Sequence, residues 1–538
     1  MKIKITAFLA TWLSISQTFG LQQIIPKIKR FALLLFFVCC VAQLSYGQER
    51  IKALDTFFSA INRNGEISGS VLVAENGKVL YQKSFGYADA QNKIPNTANT
   101  LFQIASVSKL FTAIAVLQLY ERRKLHLTDR FIKYFPDFPY PDITIKQILS
   151  HTSGIPDVGD VLVPIWKLNK DTIFTLQDII PALRSQKLPL GFKPGEGWDY
   201  SNTNYILLAL LVEKVSGEKY ADYLSKRIFI PAGMKSTFQQ TSGTNPYTRP
   251  NVAFNYAWPF ISSMTPARVD SFAIDDYKVH YKTWPSEGPG NIYTSISDLV
   301  NFNKSLDNGR LLKPKTLGLL FIPSTRNNGK KWTLRGLESE IGVIGDFYWG
   351  FGNRIDLDTT FGKIVWESGG KPGSRANMIQ NLTKHQLLIW LDNKESPSAM
   401  DNIFGALNII NGRTAPVKKA RRQAAALYAR TLITEGEDAA FAQLITMAPD
   451  TTNYSLTEYN LNDLGYEFVN NQKTGLALQT FRAAVYVFPN SDNLFNSYGE
   501  ILAKSGKKKA AILMYKKSLL LNPKNDDSKK SLADLEKN

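Results

Sequence analysis

Ser106 and Lys109 are the residues of this 538-residue sequence whose types and spacing best suit chemistry. They lie three positions apart at the start of a helix predicted over residues 107–121, so both side chains project from one face. A serine hydroxyl is a weak nucleophile until a neighbouring base takes its proton. A desolvated lysine with a lowered pKa can be that base. The S-x-x-K pattern alone fits equally well a serine that caps the helix and a solvated lysine.

A second pair of polar side chains directly precedes another predicted apolar helix. Tyr200 and Asn202 precede a helix predicted over residues 203–215. The phenol of Tyr200 could share the serine proton with Lys109, and the side chain of Asn202 could hydrogen-bond a substrate amide. The alternative for Tyr200 is a core aromatic residue with a satisfied hydroxyl. The two pairs together favour a serine nucleophile served by a lysine and a tyrosine.

Other catalytic chemistries find little support. Four histidines are scattered along the chain: His126, His151, His280 and His385. None has the spacing of H-E-x-x-H, and the only cysteines, Cys39 and Cys40, are adjacent, which argues against a catalytic zinc site and a disulfide framework. Neither a G-x-S-x-G elbow nor a P-loop occurs. Serine chemistry with a base other than histidine therefore remains, and it needs no metal or organic cofactor.

The elements around these residues predict an α+β fold. Residues 70–82 are typical of two strands joined by an Asn76-Gly77 type I′ turn. Residues 384–392 (KHQLLIWLD) are strand-like and lie near the far end of the same region. Strands at both ends with helices between them suggest that the first and last strands share one antiparallel sheet.

The order of these motifs resembles that of the class C β-lactamases, DD-peptidases and related serine esterases. The motifs are Ser106-x-x-Lys109, Tyr200-x-Asn202 and a later glycine motif. Residues 149–156 (LSHTSGIP), 288–299 (GPGNIYTSISDL) and 391–393 (LDN) agree as well, so the resemblance covers roughly residues 50–400. It implies the β-lactamase/transpeptidase-like fold, with an antiparallel sheet and a flanking helical subdomain. It also implies that His151, which lies in a family loop, is structural.

The third motif departs from the family pattern. The family has Lys-Thr-Gly or His-x-Gly on the strand that lines the site, and the matching residues here are Glu367, Ser368, Gly369 and Gly370. In β-lactamases and DD-peptidases that cation favours a substrate carboxylate, which a glutamate would repel. We therefore expect ester, amide or peptide substrates rather than efficient β-lactam hydrolysis. The sequence leaves open whether Lys371 curls back to compensate or Glu367 pairs with Lys109.

The resemblance also implies a mechanism. Ser106 would form an acyl-enzyme, Lys109 and Tyr200 would move its proton, and the N–H groups of Ser106 and Gly370 would hold the oxyanion. The predicted function is an exported serine hydrolase of esterase or peptidase-like type. The alternative is a catalytically weakened protein of the same fold that binds a ligand or acts as a sensor. A third interpretation takes the C-terminal repeats, described next, as the main function.

The composition changes after about residue 415. An Ala/Arg/Lys-rich helix is predicted over residues 418–432, and a 34-residue offset relates several later positions. The related positions are Leu464-Gly465 and Tyr498-Gly499, Ala477 and Ala511, Phe481 and Tyr515, and Pro489 and Pro523. This period resembles the tetratricopeptide repeat, whose helix hairpins bury their apolar faces by stacking. We predict a hydrolase domain at 48–415 and an all-α domain at 416–538, with repeats at about 458–525 that could bind a protein partner.

The N-terminus has the pattern of a secretory signal. Basic residues at 26–30 (PKIKR) precede an apolar run of 12 residues at 31–42, and Ser45 and Gly47 are small residues ahead of Gln48. The run is short for a membrane span, which takes ~20 residues. We predict that residues 1–47 are a signal peptide and that the mature protein is periplasmic or secreted; the alternative is an uncleaved membrane anchor.

The charge does not indicate a nucleic-acid partner. The chain has 64 Lys+Arg against 46 Asp+Glu, a net charge of +18, and removal of the five basic residues of the signal would leave +13. The remaining positive charge is scattered, with no basic run interleaved with aromatic residues. We therefore expect no nucleic-acid binding.

Overall fold

The computed structural model describes residues 47–271, 285–334, 338–339, 342–343, 346–357, 360–394 and 396–537. The predicted signal peptide lies outside these residues except for Gly47, and so do both cysteines. In the part of the chain that is described, no helix combines the length and the apolar character that a membrane crossing requires.

The strands are numbered in chain order. They are β1 (Gly69–Glu75), β2 (Lys78–Phe85), β3 (Tyr87–Asp89), β4 (Ile94–Pro95), β5 (Phe102–Gln103), β6 (Phe238–Gln239), β7 (Tyr256–Ala257), β8 (Ala267–Arg268), β9 (Ile292–Thr294), β10 (Thr333–Leu334), β11 (Glu338–Ser339), β12 (Gly342–Val343), β13 (Phe347–Trp349), β14 (Arg354–Asp356), β15 (Ile364–Lys371), β16 (Ser374–Asn381), β17 (Gln386–Asp392), β18 (Arg422–Gln423) and β19 (Tyr454–Ser455).

Eight of these strands form one antiparallel sheet in the order β10-β13-β14-β15-β16-β17-β1-β2. β1 and β2 are joined through Asn76 and Gly77, whose φ angles of 51° and 73° are those a type I′ turn needs. On its other side β1 pairs with β17, so that Gly69 lies opposite Asp392. The predicted α+β fold, with the first and last strands in one antiparallel sheet, is confirmed.

The helices are numbered in the same way. They are α1 (residues 47–63), α2 (Ser108–Glu121), α3 (Ile145–Leu149), α4 (Val158–Leu168), α5 (Ile179–Gln186), α6 (Asn202–Ser216), α7 (Tyr220–Leu224), α8 (Ile230–Ala232), α9 (Ile296–Asp307), α10 (Pro314–Leu317), α11 (Ala399–Ile410), α12 (Ala424–Thr434), α13 (Glu437–Met447), α14 (Glu458–Asn470), α15 (Thr474–Val487), α16 (Asp492–Lys504), α17 (Lys508–Leu521) and α18 (Asp526–Lys537).

Helices α2 and α6 lie within one residue of their predicted bounds, but α2 differs from the prediction in its burial. The sequence predicts one apolar face, whereas every residue of α2 from Ser108 to Leu119 is buried. Its buried polar side chains have partners: the Thr112 hydroxyl donates to Gly288 O at 2.6 Å, and Gln118 Nε2 donates to Leu311 O at 3.1 Å. A helix buried over its first twelve residues can thus place a lysine away from water.

The sheet separates two apolar cores because alternate residues of a strand face opposite sides. Leu72 and Ala74 of β1 face the core that contains α2 and α6. Val71 and Val73 of the same strand face a second core, in which α1 and α11 cover the sheet. Lys109, a residue of α2, therefore lies on the side of the first core, whereas Tyr200 packs against the second core.

The C-terminal helices repeat with the predicted period. The pair α14 and α15 recurs as α16 and α17 with every boundary offset by 34 residues. A Cβ added at Gly465 would lie 2.5 Å from Phe481 Cζ, and one added at Gly499 would lie 3.0 Å from Tyr515. Each repeat therefore needs a glycine where an aromatic ring of its second helix packs against the first. Helices α12 and α13 extend the same apolar core.

The helix predicted over residues 418–432 begins later than expected, at Ala424. Lys418 exchanges backbone hydrogen bonds with the side chain of Asn402 in α11, at 2.9 and 3.0 Å, and the Ala420 N–H donates to Glu66 Oε1 at 3.2 Å. These contacts hold the preceding backbone against the sheet domain in a non-helical conformation. Local helix propensity predicted the wrong start because tertiary contacts override it.

Candidate active site

Ser106 lies in a tight 3₁₀ turn, Ala105–Val107, which leads directly into α2. Ala105 adopts a φ of 44°, a left-handed conformation that is uncommon for a residue with a Cβ. Strand β15 passes close behind this turn, since a Cβ added at Gly369 would lie 2.3 Å from Ile104 O and 2.7 Å from Ser106 N. Glycine at position 369 thus allows the strand to approach the Ser106 backbone. The start of helix α2 and the glycine motif of β15, which are far apart in the sequence, are therefore in contact at Ser106.

Lys109 is fully buried beneath Ser106, with 0% of its surface exposed. Its Nζ donates to Ser106 Oγ at 3.1 Å, to Asn202 Oδ1 at 2.9 Å and to Pro289 O at 3.2 Å. Burial lowers the pKa of Lys109 to about 7, against the opposing influence of the Asp157 and Glu367 carboxylates. A substantial fraction of this amine is therefore neutral at physiological pH and can accept a proton.

Tyr200 completes the arrangement from the segment before α6. Its hydroxyl donates to Ser106 Oγ at 2.8 Å, and its ring centroid lies 4.7 Å from Lys109 Nζ. Burial raises the pKa of the Tyr200 phenol well above its usual value, so the phenol keeps its proton. The hydroxyl, the amine and the phenol thus lie within hydrogen-bonding distance around a single oxygen atom, although 94 residues separate Tyr200 from Ser106.

His151 supports this arrangement from behind. It is fully buried, and its ring stacks on Tyr200 with centroids 4.7 Å apart. Its Nδ1 accepts the Ser201 N–H at 3.2 Å. Burial and the nearby cations Lys109 and Arg354 hold the pKa of His151 well below its usual value. The imidazole is therefore neutral and packs as an aromatic support for the tyrosine.

The side chain of Asn202 is hydrogen-bonded to the amine of Lys109. Its Oδ1 accepts from Lys109 Nζ, while its backbone N–H donates to Asp157 Oδ1. Sequence reasoning singled out Asn202 for a substrate amide but did not identify Asp157. The sequence signal that could have drawn attention to Asp157 was its position directly before α4, where an N-cap carboxylate is common. Its carboxylate instead anchors the first turn of α6.

Glu367 is buried and paired with a cation that the sequence did not suggest. Only 3% of its surface is exposed, and its Oε2 lies 3.4 Å from Arg354 Nη1. The guanidinium of Arg354 stacks 4.8 Å from the rings of both Trp349 and Trp366. Burial raises the pKa of Glu367 to about 8 even though Arg354 and Lys109 oppose the shift. The sequence offered pairing with Lys109 or compensation by Lys371, whereas the structure places the Glu367 carboxyl group against Arg354.

Lys371 turns instead toward the segment at residues 286–291. Its Nζ donates to Asn291 Oδ1 at 2.6 Å and to Ser286 Oγ at 3.3 Å. A Cβ added at Gly290 would lie 3.7 Å from this amine, and the neighbouring Pro289 O accepts from Lys109. Burial lowers the pKa of Lys371 to about 8. A second, half-buried lysine thus borders the site without touching Ser106.

The edge of β15 is open beside Ser106. β14 pairs with β15 only at Val365 and Trp366, so the residues from Glu367 to Lys371 have no strand partner on that side among the described residues. Ser368 and Gly370 both belong to this unpaired part of β15; Ser368 is half-buried and Gly370 is exposed. The backbone there can therefore reach a bound molecule. In the described parts of the chain, no cluster of three metal-ligating side chains occurs.

Comparison with known proteins agrees with this architecture. A sequence model of the Beta-lactamase family matches residues 54–397. Penicillin-binding protein 4* of Bacillus subtilis (strain 168) is 33% identical over 391 residues, which cover 71% of this chain and 82% of that protein.

Two solved structures share the fold. The penicillin binding protein of Bacillus halodurans superimposes with a TM-score of 0.52 at 24% identity, covering 66% of this chain and 98% of that one. The D-amino acid amidase of Ochrobactrum anthropi SV3, in complex with L-phenylalanine amide, gives a TM-score of 0.53 at 22% identity, covering 68% of this chain and 99% of that one.

Proposed function

The chain belongs to the β-lactamase family of serine hydrolases, and from that premise we propose that it is an exported hydrolase in which Ser106 forms an acyl-enzyme with ester or amide substrates. One observation carries the proposal: Ser106 Oγ lies 3.1 Å from Lys109 Nζ and 2.8 Å from Tyr200 Oη. A hydroxyl in contact with both a depressed-pKa amine and a neutral phenol is equipped for nucleophilic attack.

The hydrogen bonds of Lys109 indicate the direction of the first proton transfer. Of its three acceptors, Asn202 Oδ1 and Pro289 O have no proton to give, whereas the Ser106 hydroxyl has one. When Lys109 is neutral, its lone pair must therefore face Ser106. The hydroxyl then donates to Lys109 while Tyr200 donates to Ser106, so Lys109 is the base and Tyr200 orients the oxygen.

The proposed reaction proceeds in two stages. Ser106 Oγ attacks the substrate carbonyl as its proton moves to Lys109, and the backbone N–H groups of Ser106 and Gly370 stabilise the oxyanion. Each such donor typically contributes ~10²–10³ in rate. The proton then passes to the leaving alcohol or amine, directly or through Tyr200, as the acyl-enzyme forms. Water attacks the acyl carbonyl in the second stage and gives its proton to Lys109, which returns it to Ser106.

The third motif supports a substrate without a carboxylate at this position. Glu367 replaces the family's cation, and its carboxyl group faces Arg354 of the neighbouring strand β14 at 3.4 Å. The nearby amine of Lys371 already donates to Asn291 and Ser286. A substrate carboxylate would therefore meet no dedicated cation at residue 367. The name of the Bacillus subtilis relative indicates that it binds penicillin, which is compatible with β-lactam acylation here without rapid turnover.

We expect the purified protein to hydrolyse a short-chain p-nitrophenyl ester with a kcat/KM at least about 100-fold above that for a chromogenic cephalosporin, a difference of ~2.7 kcal/mol in transition-state stabilisation. Intact-mass time courses with the cephalosporin should show a slowly formed adduct. Faster turnover of the cephalosporin than of the ester would contradict the substrate class. Acylation by both compounds with no turnover would instead support the ligand-binding or sensor alternative.

The lowered pKa of Lys109 predicts the pH dependence of the reaction. Because only the neutral amine accepts the serine proton, kcat/KM should rise as pH increases through about 7, the pKa of Lys109. Glu367, with a pKa of about 8, ionises over the same range and its negative charge favours protonated Lys109. The rise should therefore be broader than a single titration. A kcat/KM that falls between pH 6 and 8 would exclude neutral Lys109 as the base.

We also propose the cellular location and domain division. Residues 1–47 act as a cleaved export signal, residues 48–415 form the hydrolase domain, and residues 416–538 form a helical domain of tetratricopeptide type. The 34-residue offset of α14–α15 and α16–α17 supports the repeat assignment. N-terminal sequencing of the protein from its native host distinguishes a mature chain that begins at Gln48 from one that retains the apolar segment as an anchor.

A further inference from the structure

The β7–β8 hairpin, residues 256–268, binds to the helical domain. The Glu467 carboxylate on α14 accepts the backbone N–H groups of Ile261 at 2.7 Å and Ser262 at 3.1 Å, and it also accepts the Ser262 hydroxyl. The Ile261 side chain packs against the apolar core of the helical domain. One carboxylate and one apolar side chain thus fix the tip of the hairpin.

Arg430 on α12 holds the same hairpin from a second helix. Its Nε donates to Ser263 O at 2.8 Å, and its guanidinium stacks 4.1 Å from the ring of Trp258. The contacts of Arg430 and Glu467 together define the α12–α14 face, a surface that offers an acceptor to backbone N–H groups and a donor to a backbone carbonyl. Its charges complement the exposed backbone of a turn rather than a charged partner.

The root of the hairpin lies against the end of β15. A Cβ added at Gly373, in the turn between β15 and β16, would lie 2.7 Å from Tyr256 N. The Tyr256 N–H donates to Asn393 O at 3.0 Å, directly after β17. The hairpin therefore stands where the open edge of β15 ends, two residues beyond Lys371.

A buried polar chain connects the hairpin root to the site. Asn255 Nδ2 donates to Gln103 Oε1 at 3.2 Å, and Gln103 Nε2 donates to Asn291 Oδ1 at 2.9 Å. The same Asn291 oxygen accepts from Lys371 Nζ at 2.6 Å. Gln103 itself precedes Ser106 by three residues. A displacement of the hairpin root would therefore shift Lys371 at the open edge of β15 and the segment before Ser106, which together border what we call the substrate cleft.

We propose that the α12–α14 face is the binding surface for this chain's own β7–β8 hairpin and that, through it, the helical domain fixes one border of the substrate cleft. Glu467 and Arg430 are positioning residues in this arrangement. The role in substrate binding rests on the proposed hydrolase function, whereas the contact itself does not. While the hairpin is bound, this face is not available to a separate protein partner.

Hydrogen exchange of the full-length protein tests the contact. Glu467→Gln keeps the size of the side chain but removes its charge, so the amides of Ile261 and Ser262 should exchange about tenfold faster than in the parent chain. Glu435→Gln removes an exposed carboxylate from the same domain and should leave this exchange unchanged. Circular dichroism verifies that both variants remain folded. A variant Glu467→Ala, which lacks any acceptor, should exchange faster still; unchanged exchange in both Glu467 variants would overturn the proposal.

Kinetics of the same proteins tests the consequence for the cleft. Glu467→Gln should raise KM for the p-nitrophenyl ester about threefold or more while kcat changes less than twofold, because the hairpin positions substrate rather than reacting with it. Faster exchange with unchanged KM would reject the role in the cleft. A parent protein without any hydrolase activity would reject the proposed function and leave the exchange result standing, so the two failures are distinguishable.

Discussion

Replacing Ser106 by alanine should reduce kcat for ester hydrolysis by at least about 10⁴-fold, because loss of the nucleophile in serine hydrolases costs on the order of 10⁴–10⁶ in kcat. No other hydroxyl is described in contact with both Lys109 and Tyr200. The variant should also fail to gain mass from a fluorophosphonate probe. Progress curves and intact-mass spectra of the parent and variant proteins measure both effects.

Ser185→Ala supplies the matched control for this result. Ser185 is exposed on α5, so the same change there should leave kcat within about twofold of the parent value. The half-buried Ser106 side chain is small, and its loss should shift the thermal midpoint by only a few degrees. Turnover by a folded Ser106→Ala protein within tenfold of the parent would remove this serine from the mechanism.

Lys109→Met should lower the acylation rate by about 10³-fold, within the usual range of 10²–10⁴ for a lost general base. Methionine has similar length and tolerates burial, but it offers no lone pair for the Ser106 proton. Stopped-flow measurement of p-nitrophenol release isolates the acylation step from later hydrolysis. The Ser106 hydroxyl should remain present but unactivated in this variant.

Lys109→Arg separates the role of charge from that of proton transfer. Arginine retains a positive charge near Asp157 and Glu367 but does not deprotonate at accessible pH, so it should not restore acylation. Its kcat/KM should also lose the rise through pH 7 that we expect for the parent. Acylation by Lys109→Arg within tenfold of the parent rate would show that the cation rather than the base is what the reaction needs.

Much of the site could be predicted from the sequence because its parts follow local rules. The Asn76-Gly77 turn fixes the first hairpin, and the S-x-x-K spacing places Ser106 and Lys109 on one side of a helix start. The convergence of Tyr200 on Ser106 followed from the order of the motifs, not from any local pattern.

The partners of charged groups could not be predicted in the same way. Arg354 meets Glu367 because β14 and β15 pair in one particular register, with Arg354 opposite Trp366. Strand register depends on the whole sheet, so neither residue marks the other in the sequence. The contact between Glu467 and Ser262 spans 205 residues and joins two separately patterned regions. Long-range contacts of this kind require the folded structure.

The pairing of β1 with β17 has a consequence for how the chain acquires its structure. Glu75 and Gln386 are register partners, yet 311 positions separate them. The β1–β17 pair therefore cannot form until nearly the whole hydrolase region has left the ribosome, and such a high contact order slows folding. The helix pairs near the C-terminus, built from neighbouring segments, can form as soon as they emerge. Until β17 is synthesised, β1 is paired only with its hairpin partner β2, and its other edge can pair with a different chain.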